Sequence, residues 1–430
     1  MAVPSPTSRT VAHELIVAVL KRHRPLDEAL ETHTGFAKLE IRERAFARNL
    51  VATTLRRLGQ IDDLINHCLE KPLPRRAIAV RDVLRLGVCQ LLFLNTPSHA
   101  AVDTTVSMLA GLDLAAYKKL VNAILRRLGR EGGKLLERQD AERLNTPDWL
   151  WESWVSAYGE EGCRAIAGAH LREAPLDLSA REIPEKWAEV LKASVLPTGS
   201  IRLPKSTKIT DLPGFDEGAW WVQDAAAALP VSLLGDVKGK QVIDLCAAPG
   251  GKTAQLLSRG AQVTAVERSA KRLKRLEENL DRLNLTTQSV CADAATWRPE
   301  EKADAILLDA PCSATGTIRR HPDIPHLKKP EDVENLKSAQ YRLLEAALDM
   351  VKPKGIIVFC TCSLQPEEGP ELVSSVLQAN SLIRLDPIQA REVGNLSELI
   401  DETGALRCLP SHLGELGGMD GFYAARLVFG

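Results

Sequence analysis

Two short cysteine motifs each follow an apolar run of the kind that forms a buried strand. The first run ends in Asp309-Ala-Pro-Cys312, and the second ends in Cys360-Thr-Cys362-Ser. Because ligands bind at the carboxyl ends of the strands of a parallel sheet, we expect Asp309, Cys312 and Cys362 to meet at one edge. A thiolate is a strong nucleophile, whereas a free thiol titrates near ~8.5. These residues therefore indicate covalent catalysis by one thiol, with an acid and a second proton carrier nearby.

A glycine-rich loop at residues 246–253 follows an earlier apolar run. It is not a P-loop, because Cys246 stands where that motif needs glycine and Pro249 would interrupt the phosphate-binding backbone; it also lacks the dinucleotide pattern GxGxxG. Acids end the next two predicted strands: Glu267 suits ribose hydroxyls, and Asp293 could reach an adenine amino group. A loop with two such acids suits a nucleoside cofactor without a pyrophosphate. The sequence therefore predicts S-adenosylmethionine as the cofactor.

Methyl transfer to carbon-5 of cytosine would explain these residue types together. Carbon-5 is too weak a nucleophile to take a methyl group directly, but a thiolate that adds to carbon-6 makes it enamine-like. An acid at ring nitrogen-3 neutralises the charge that develops, and Asp309 suits this role. A base must then remove the carbon-5 proton so that the thiol can leave.

The elements that would position these residues begin near Gly239, where apolar runs alternate with helical patterns. This alternation predicts an α/β domain with a doubly wound parallel sheet. The predicted strands are 242–245, 263–266, 288–291, 305–308, 356–359 and 421–429, and the predicted helices are 253–259 and 269–283.

The rest of the chain divides into two further predicted parts. Residues 1–140 show helical spacing of apolar residues and predict an all-helical domain. Residues 141–232 predict a helix from about 148 to 170, capped by Thr146 or Asp148, followed by short strands around one helix. We expect 141–232 to be a small α/β linker domain, with the catalytic domain at 233–430.

Composition excludes several classes of protein. With 45% hydrophobic and 26% charged residues, the chain is typical of globular proteins rather than of disordered or collagen-like ones. It has no apolar run of about 18 residues, and its first ten residues lack the pattern of a secretion signal. We therefore expect a cytoplasmic protein without a membrane span. The nine cysteines include no CxxC pair, so we expect neither a bound metal nor a disulfide framework.

Charge is distributed unevenly along the chain. Residues 1–140 carry 22 Lys and Arg against 15 Asp and Glu, a balance of +7, whereas the remainder has a balance of −8. A basic end suggests an acidic partner, of which nucleic acid is the commonest. Lys119, Arg126 and Arg130 fall on one outer stripe of a predicted helix. This stripe is either a solvated face or a surface that follows RNA phosphates.

These motifs resemble those of a known family, the RsmB-type (Fmu/Sun) 5-methylcytosine methyltransferases of small-subunit ribosomal RNA. Residues 1–140 are similar to the RNA-binding antitermination factor NusB, so the resemblance covers almost the whole chain. The combination of DAPCSATG with TCS is specific for the RNA cytosine class. The resemblance is carried by Gln223-Asp224, VIDLCAAPGGKT (242–253), LLDAPCSATGTIRRHPDI (307–324), CTCSLQPEEG (360–369) and DGFYAARL (420–427).

The resemblance implies a fold and a set of site residues. The fold would be a Rossmann-like class I S-adenosylmethionine methyltransferase domain, preceded by a NusB-like domain and the small α/β linker domain. The nucleophile would be Cys362, and Cys312 would help to release the product. Cys360 departs from the family, whose members more often have an apolar or aromatic residue there, and we expect it to serve packing. The implied cofactor contacts are Cys246, Ala247, Ala248, Pro249, Gly250, Gly251, Lys252, Glu267, Asp293 and Asp309.

The resemblance also implies 16S ribosomal RNA as the partner, either free or within a partly assembled small subunit, and a protein that acts as a monomer. Arg319, Arg320 and His321 follow the Pro-Cys motif and would meet RNA phosphates near the target. Two alternatives stay open. One is a DNA cytosine methyltransferase with Cys312 as nucleophile, against which the second strand-end cysteine and the NusB-like domain argue. The other is an RNA-binding assembly factor with a vestigial fold, against which the intact Asp309, Cys312 and Cys362 argue.

Overall fold

The structure, a computed structural model, describes residues 6–74, 77–204 and 208–430 of the 430-residue chain. It divides the chain into two compact units. The first contains the residues up to Arg172 together with Ile318–Lys328. The second contains Glu173–Thr317 and Lys329–Gly430. The three-part division at residues 140 and 232 stays a prediction.

The first unit is helical, as the sequence predicts. Its apolar faces bury residues such as Leu15, Ile16, Leu125 and Leu128 in one core. This agrees with the spacing of apolar residues in the sequence, because residues three and four apart share a helix face. The helices are α1 (Ser8–Arg22), α2 (Leu26–Thr32), α3 (Thr34–Ala37), α4 (Ile41–Arg56), α5 (Leu58–Cys68), α6 (Ile78–Leu92), α7 (Ser98–Gly111), α8 (Lys118–Leu136), α9 (Ala141–Leu144) and α10 (Asp148–His170).

The start of α10 differs from the prediction. Its N-cap residue is Pro147, and no side chain caps the helix. Thr146 does not cap it, because its hydroxyl donates instead to the carbonyl of Glu142 in α9, at 2.8 Å. The helix is also interrupted at Gly159, where φ is 72° and ψ is 170°.

A short segment from the middle of the catalytic motifs completes the first unit. Within Ile318–Lys328, residues Ile324–Leu327 form helix α15. The Asp323 carboxylate accepts a hydrogen bond of 2.8 Å from the backbone N–H of Leu26, at the start of α2. The ring of His326 hydrogen-bonds the carbonyl of Leu55 at 3.0 Å. The sequence resembles a methyltransferase here, yet the segment packs with the helical unit.

The second unit begins with a small antiparallel sheet. Its strands are β1 (Asp177–Ala180), β2 (Ser194–Val195), β3 (Ile201–Arg202) and β4 (Trp220–Val222), in the order β2-β3-β1-β4, with helix α11 (Pro184–Leu191) beside them. The buried Asp177 carboxylate accepts two hydrogen bonds of 2.7 Å from the Arg202 guanidinium. Asp177 also accepts one of 3.2 Å from the backbone of Ala225, so it links the small sheet to the following helix.

The larger sheet carries the predicted strand ends. Among the described residues it has eight strands, in the order β10-β12-β9-β8-β5-β6-β7, with β11 paired to β12. They are β5 (Gln241–Leu245), β6 (Gln262–Glu267), β7 (Gln288–Cys291), β8 (Ala303–Asp309), β9 (Val351–Thr361), β10 (Ile383–Leu385), β11 (Leu406–Cys408) and β12 (Phe422–Phe429). The helices are α12 (Ala225–Ser232), α13 (Gly251–Ser258), α14 (Ala270–Arg282), α16 (Pro330–Met350) and α17 (Pro370–Ala379).

The sheet is mixed rather than wholly parallel. Strands β5 to β9 run parallel, whereas β12 lies antiparallel to β9 and also pairs with β10 and β11. Apolar cores cover both faces, which explains the nearly continuous apolar runs of β5 and β8. Register places Asp309 opposite Cys360, so β8 and β9 end together. In residues 6–74, 77–204 and 208–430, no helix is long and apolar enough to cross a membrane.

Candidate active site

A cleft of about 1020 Å³ opens at the carboxyl ends of the parallel strands. This is the edge at which the sequence predicts a ligand site, because β5, β6, β7, β8 and β9 all end there. The cleft brings predicted cofactor residues and the catalytic candidates into one space. The predicted residues that line it are Cys246, Ala248, Glu267, Asp293, Asp309, Cys312 and Cys362.

The cofactor loop is held by its own backbone and by α14. Cys246 and Gly250 both have left-handed backbone, with φ of 62° and 101°, and Gly250 precedes the first residue of α13. From α14, the Arg272 guanidinium donates to the carbonyl of Ala248 at 2.7 Å, and the Asn279 amide donates to that of Pro249 at 2.9 Å. These contacts hold the loop against α14.

Gly250 is required by the backbone conformation of the loop and by its packing. A Cβ added there would lie 3.1 Å from Leu276 Cγ, which is tighter than ordinary van der Waals contact, and the left-handed backbone already disfavours other residues. Gly251 has no such restriction, since its added Cβ would be at least 3.7 Å from the nearest atom, on Trp221. The first glycine therefore serves the packing of the loop on α14.

Glu267, at the end of β6, fits a ribose partner. Its side chain is buried at 3% exposure, and Oε1 accepts a hydrogen bond of 2.9 Å from the backbone N–H of Ser269. Oε2 lies 3.2 Å from Arg272 Nη1 but accepts no hydrogen bond within the described part of the chain. A buried carboxylate oxygen without a donor suits the hydroxyl of a bound nucleoside. Asp293 is exposed beyond β7, and its Oδ1 accepts from the backbone N–H of Ala295 at 3.0 Å.

Asp309 is fixed by two side chains. Lys252 Nζ donates to its Oδ2 at 2.8 Å, and the Cys360 thiol lies 3.6 Å from its Oδ1. Burial alone would lower the pKa of Lys252, but the negative charge of Asp309 outweighs it and raises that pKa, so Lys252 stays charged. The ammonium also lies 4.9 Å from the centre of the Phe422 ring, within cation–π distance. Cys360 thus packs in the core and also contacts the carboxylate.

The two strand-end cysteines are neighbours. Cys312 Sγ and Cys362 Sγ lie 3.4 Å apart, close enough for one thiol to donate to the other sulfur. The pKa of Cys312 is raised well above its ordinary value by the hydrogen bond to Cys362, by burial and by the charge of Glu368. Burial and the nearby Asp309 and Glu267 carboxylates raise the pKa of Cys246 to about 12. Cys312 and Cys246 therefore hold their protons at neutral pH.

The loops that carry the two cysteines are joined by backbone hydrogen bonds. The N–H of Gly316 donates to the carbonyl of Cys362 at 2.9 Å, and the N–H of Gly421 donates to that of Gly316 at 2.8 Å. A Cβ added to Gly316 would lie 2.0 Å from the Gly421 carbonyl oxygen, so only glycine fits. This contact explains why the glycines of the ATG and DGF segments are needed.

Sequence reasoning missed a buried glutamate beneath these loops. Glu368 is fully buried and accepts hydrogen bonds from Ser313, next to Cys312, from Ser363, next to Cys362, and from Gln340 in α16. The signal was present in the CTCSLQPEEG motif, where two acids follow the cysteine closely. The sequence does not identify this residue, because the motif does not show whether the side chain of Glu367 or that of Glu368 is buried.

The residues predicted to contact RNA lie in the first unit. Lys119, Arg126 and Arg130 are exposed along α8, in agreement with an outer stripe. Arg319 is only 1% exposed, so its guanidinium does not lie on the surface as we expected for a phosphate contact. It is buried because its segment packs into the helical unit, where its carbonyl accepts from Arg56 at 2.8 Å. His321 lies 3.2 Å from Asp27.

No group of three or more His, Cys, Asp or Glu side chains among residues 6–74, 77–204 and 208–430 is placed to hold a metal ion.

Comparison with known proteins identifies the family of the chain. The model of the 16S rRNA methyltransferases RsmB/F matches residues 231–428, and that of the NusB family matches residues 6–130. The chain is 33% identical to the ribosomal RNA small subunit methyltransferase B of Shewanella oneidensis, over 98% of both chains.

Two solved structures have a similar fold. The crystal structure of PH0851 covers 99% of both chains, with a TM-score of 0.74 and 22% identity. The crystal structure of NSun6 from Pyrococcus horikoshii with SFG, an S-adenosylmethionine analogue, covers 66% of this chain and 98% of that one, with a TM-score of 0.55 and 20% identity. The fold is thus that of S-adenosylmethionine-dependent methyltransferases. From its full-length identity to that relative and its match to both family models, the chain belongs to the family of ribosomal RNA small subunit methyltransferase B.

Proposed function

We propose that this protein methylates carbon-5 of a specific cytosine in small-subunit (16S) ribosomal RNA with S-adenosylmethionine, through a covalent Cys362–cytosine intermediate. The observation that carries the proposal is the pair of thiols 3.4 Å apart, in the same cleft as Asp309 and the cofactor loop. Two thiols so placed suit a reaction in which one attacks and the other handles a proton.

The cleft has the size and the polar groups for a cofactor and a base. S-adenosylmethionine bound here would supply an electrophilic methyl group. Glu267 Oε2 would accept a hydrogen bond from its ribose, and Asp293 one from its adenine amino group. Because a cleft of about 1020 Å³ exceeds what one small ligand fills, a cytosine that has left its stack has room beside Asp309.

The protonation of the two thiols supports Cys362 as the nucleophile. Cys312 keeps its proton, since its pKa is raised by the hydrogen bond to Cys362, by burial and by Glu368. Cys362 would therefore form the bond to carbon-6, and the electrons of the carbon-5–carbon-6 double bond would move to carbon-5 and bind the methyl carbon. The proton that the Cys362 thiol gives up would go to nitrogen-3, where the Asp309 carboxylate, oriented by Lys252 and Cys360, would hold it by accepting a hydrogen bond.

The same pair of thiols supports a role for Cys312 in product release. Once Cys362 is bonded to carbon, it can no longer carry a charge, and the first cause of the raised pKa of Cys312 is removed. Cys312 then loses its proton more easily, at the stage that needs a base for the carbon-5 proton. The electrons of that C–H bond would re-form the double bond, and Cys362 would leave as a thiolate.

The helical unit would dock the RNA, in the cytoplasm and as a monomer. The exposed cations Lys119, Arg126 and Arg130 on α8 would follow phosphates, and Arg320 and His321 would contact RNA near the target. Either free 16S RNA or a partly assembled subunit would present the cytosine. The buried Arg319 would act through its segment rather than by touching phosphate.

Substitution of each cysteine tests the mechanism. Cys312→Ala should form a protein–RNA adduct that survives denaturing electrophoresis and requires S-adenosylmethionine, because methyl transfer proceeds but release stalls. Cys362→Ala should form no adduct and transfer no methyl group, and the double variant should behave like Cys362→Ala. An adduct in Cys362→Ala with none in Cys312→Ala would make Cys312 the nucleophile and contradict the proposal.

The substrate is tested separately. With labelled S-adenosylmethionine, we expect transfer to 16S RNA and none to duplex DNA, and base-resolution mapping should place the label on carbon-5 of one cytosine. Transfer to DNA would favour the DNA methyltransferase alternative. RNA binding without any transfer would favour an assembly factor with a vestigial fold.

A further inference from the structure

We propose that Glu368 is a positioning residue that holds Cys312 and Cys362 at their working separation. This inference rests on the proposed function for its meaning in catalysis, but its geometric part stands without it. Glu368 would not touch the RNA or the cofactor. It would act through the two serines that adjoin the cysteines.

The carboxylate joins three segments of the chain. Oε1 accepts hydrogen bonds from the backbone N–H of Ser313 at 2.8 Å and from the Gln340 amide at 3.0 Å. Oε2 accepts from the Ser363 hydroxyl at 2.6 Å and from the Ser313 hydroxyl. Each serine directly follows one of the cysteines, so a single buried group fixes both cysteine loops from below.

Further contacts keep Glu368 itself in place. Its carbonyl accepts a hydrogen bond of 3.0 Å from the Thr361 hydroxyl, at the end of β9. The Gln340 amide donates a second bond, of 2.8 Å, to the carbonyl of Pro311. The carboxylate is therefore anchored to the strand that precedes Cys362 and, through α16, to the loop that carries Cys312. A small displacement of Glu368 would move both sulfurs.

The negative charge of the Glu368 carboxylate also affects the protonation of Cys312. The hydrogen bonds to its carboxylate come from neutral groups: the backbone N–H and hydroxyl of Ser313, the hydroxyl of Ser363 and the amide of Gln340. A buried negative charge disfavours a second one nearby. The pKa of Cys312 is raised first by the hydrogen bond to Cys362, then by burial, and also by the negative charge of Glu368. Glu368 thus favours the state in which Cys312 is a thiol, which leaves Cys362 to attack.

The test uses Glu368→Gln, which keeps the size of the side chain and removes its charge. Glu367→Gln is the matched control, because among the described residues no hydrogen bond joins the neighbouring carboxylate to either cysteine loop, and its Oε2 has no partner there. In single-turnover methyl transfer, we expect Glu368→Gln to lower the rate at saturating RNA at least ~10-fold. The KM for RNA and the Kd for S-adenosylmethionine should stay within ~2-fold. A residue that only stabilises the fold would change the melting temperature and leave this rate intact.

A second measurement reports the geometry without RNA. Phenylarsine oxide binds two neighbouring thiols, forming two As–S bonds and releasing one water. The full-length protein should bind one equivalent, and Cys312→Ala or Cys362→Ala should abolish this binding. Glu368→Gln should weaken it at least ~10-fold, and Glu367→Gln should not. If the cytosine activity itself proves wrong, this measurement still decides the geometric claim.

Two milder variants keep the test decisive if Glu368→Gln does not fold. Ser313→Ala and Ser363→Ala each remove one hydroxyl donor to Oε2, and each should lower arsenical affinity and the single-turnover rate by a smaller factor than Glu368→Gln. Wild-type arsenical affinity and rate in Glu368→Gln, or in both serine variants, would overturn the proposal.

Discussion

The clearest test of the cofactor site is the substitution Glu267→Ala. Glu267 ends β6 within the cleft, and its carboxylate is almost fully buried. Oε1 already accepts from the N–H of Ser269, whereas Oε2 pairs with the charge of Arg272 at 3.2 Å but accepts no hydrogen bond in the described part of the chain, so it can accept one from a ligand. If Glu267 binds the ribose of S-adenosylmethionine, this substitution should weaken cofactor binding.

The magnitude follows from counting the bonds that are lost. Because one oxygen is open, the substitution removes about one hydrogen bond to a charged group, which contributes roughly 1.5–3 kcal/mol. At about 1.4 kcal/mol for each factor of ten, the Kd should rise by roughly 10- to 150-fold. Glu267→Gln keeps a polar atom at that position but loses the charge, so we expect a smaller rise, of about 5-fold.

Calorimetric titration with S-adenosylmethionine, without RNA, measures these changes directly. Glu278→Ala is the matched control, since it removes a carboxylate from the exposed side of α14, and its Kd should match that of the wild type. The 2′-deoxy analogue of S-adenosylhomocysteine isolates the ribose contact. The wild type should bind this analogue more weakly than the ribose form, whereas Glu267→Ala should not distinguish the two. Equal discrimination in both proteins, or a normal Kd in a folded Glu267→Ala, would refute the assignment.

Two further predictions concern stability and RNA binding. Burial, with a smaller effect of Asp309, raises the pKa of Asp244 in β5 to about 7 against the opposing hydrogen bond from Thr253. The protonated Asp244 stabilises the fold fully below the pKa of an unfolded Asp, and this stabilisation is lost as the pH rises through about 7. Between pH 5 and pH 8, the free energy of unfolding measured by thermal unfolding should therefore fall by an amount of order 2–4 kcal/mol. Asp244→Asn should not show this fall. Neutralising Lys119, Arg126 and Arg130 together should weaken the salt dependence of binding to duplex RNA. Measured by filter binding, the slope of log affinity against log salt concentration should fall by up to ~3. An unchanged slope would mean that this face of α8 is only solvated.

Local patterns were sufficient to predict the elements that carry the cleft. The strands around 242–245, 263–266 and 288–291 were confirmed within one or two residues. Strand ends can be read from sequence because an apolar run stops where glycine or an acid begins, and the fold class then places those ends at one edge. The juxtaposition of Cys312 and Cys362 needed only this rule.

Contacts between distant residues could not be predicted in this way. The pairing of Lys252 with Asp309, and of Glu368 with the two serines, depends on how separate loops stack, which no local spacing encodes. The antiparallel pairing of β12 with β9 could not be predicted either, because an apolar strand pattern does not show in which direction the strand runs. Arg319 was misjudged for a related reason, since a run of cations suggests a surface, whereas tertiary packing buries one of them.

The position of Ile318–Lys328 has a consequence for the order in which the protein forms during translation. The helical unit is synthesised first, yet it receives α15, the Asp323 carboxylate and the His326 ring only after residue 328 has left the ribosome. Residues 171–317 separate α10 from this segment, and at roughly 5–20 residues per second their synthesis takes about 7–30 s. During that interval the N–H of Leu26 lacks the Asp323 carboxylate, and the carbonyl of Leu55 lacks the His326 ring. The final packing of the helical unit must therefore follow synthesis of the loop that carries Cys312.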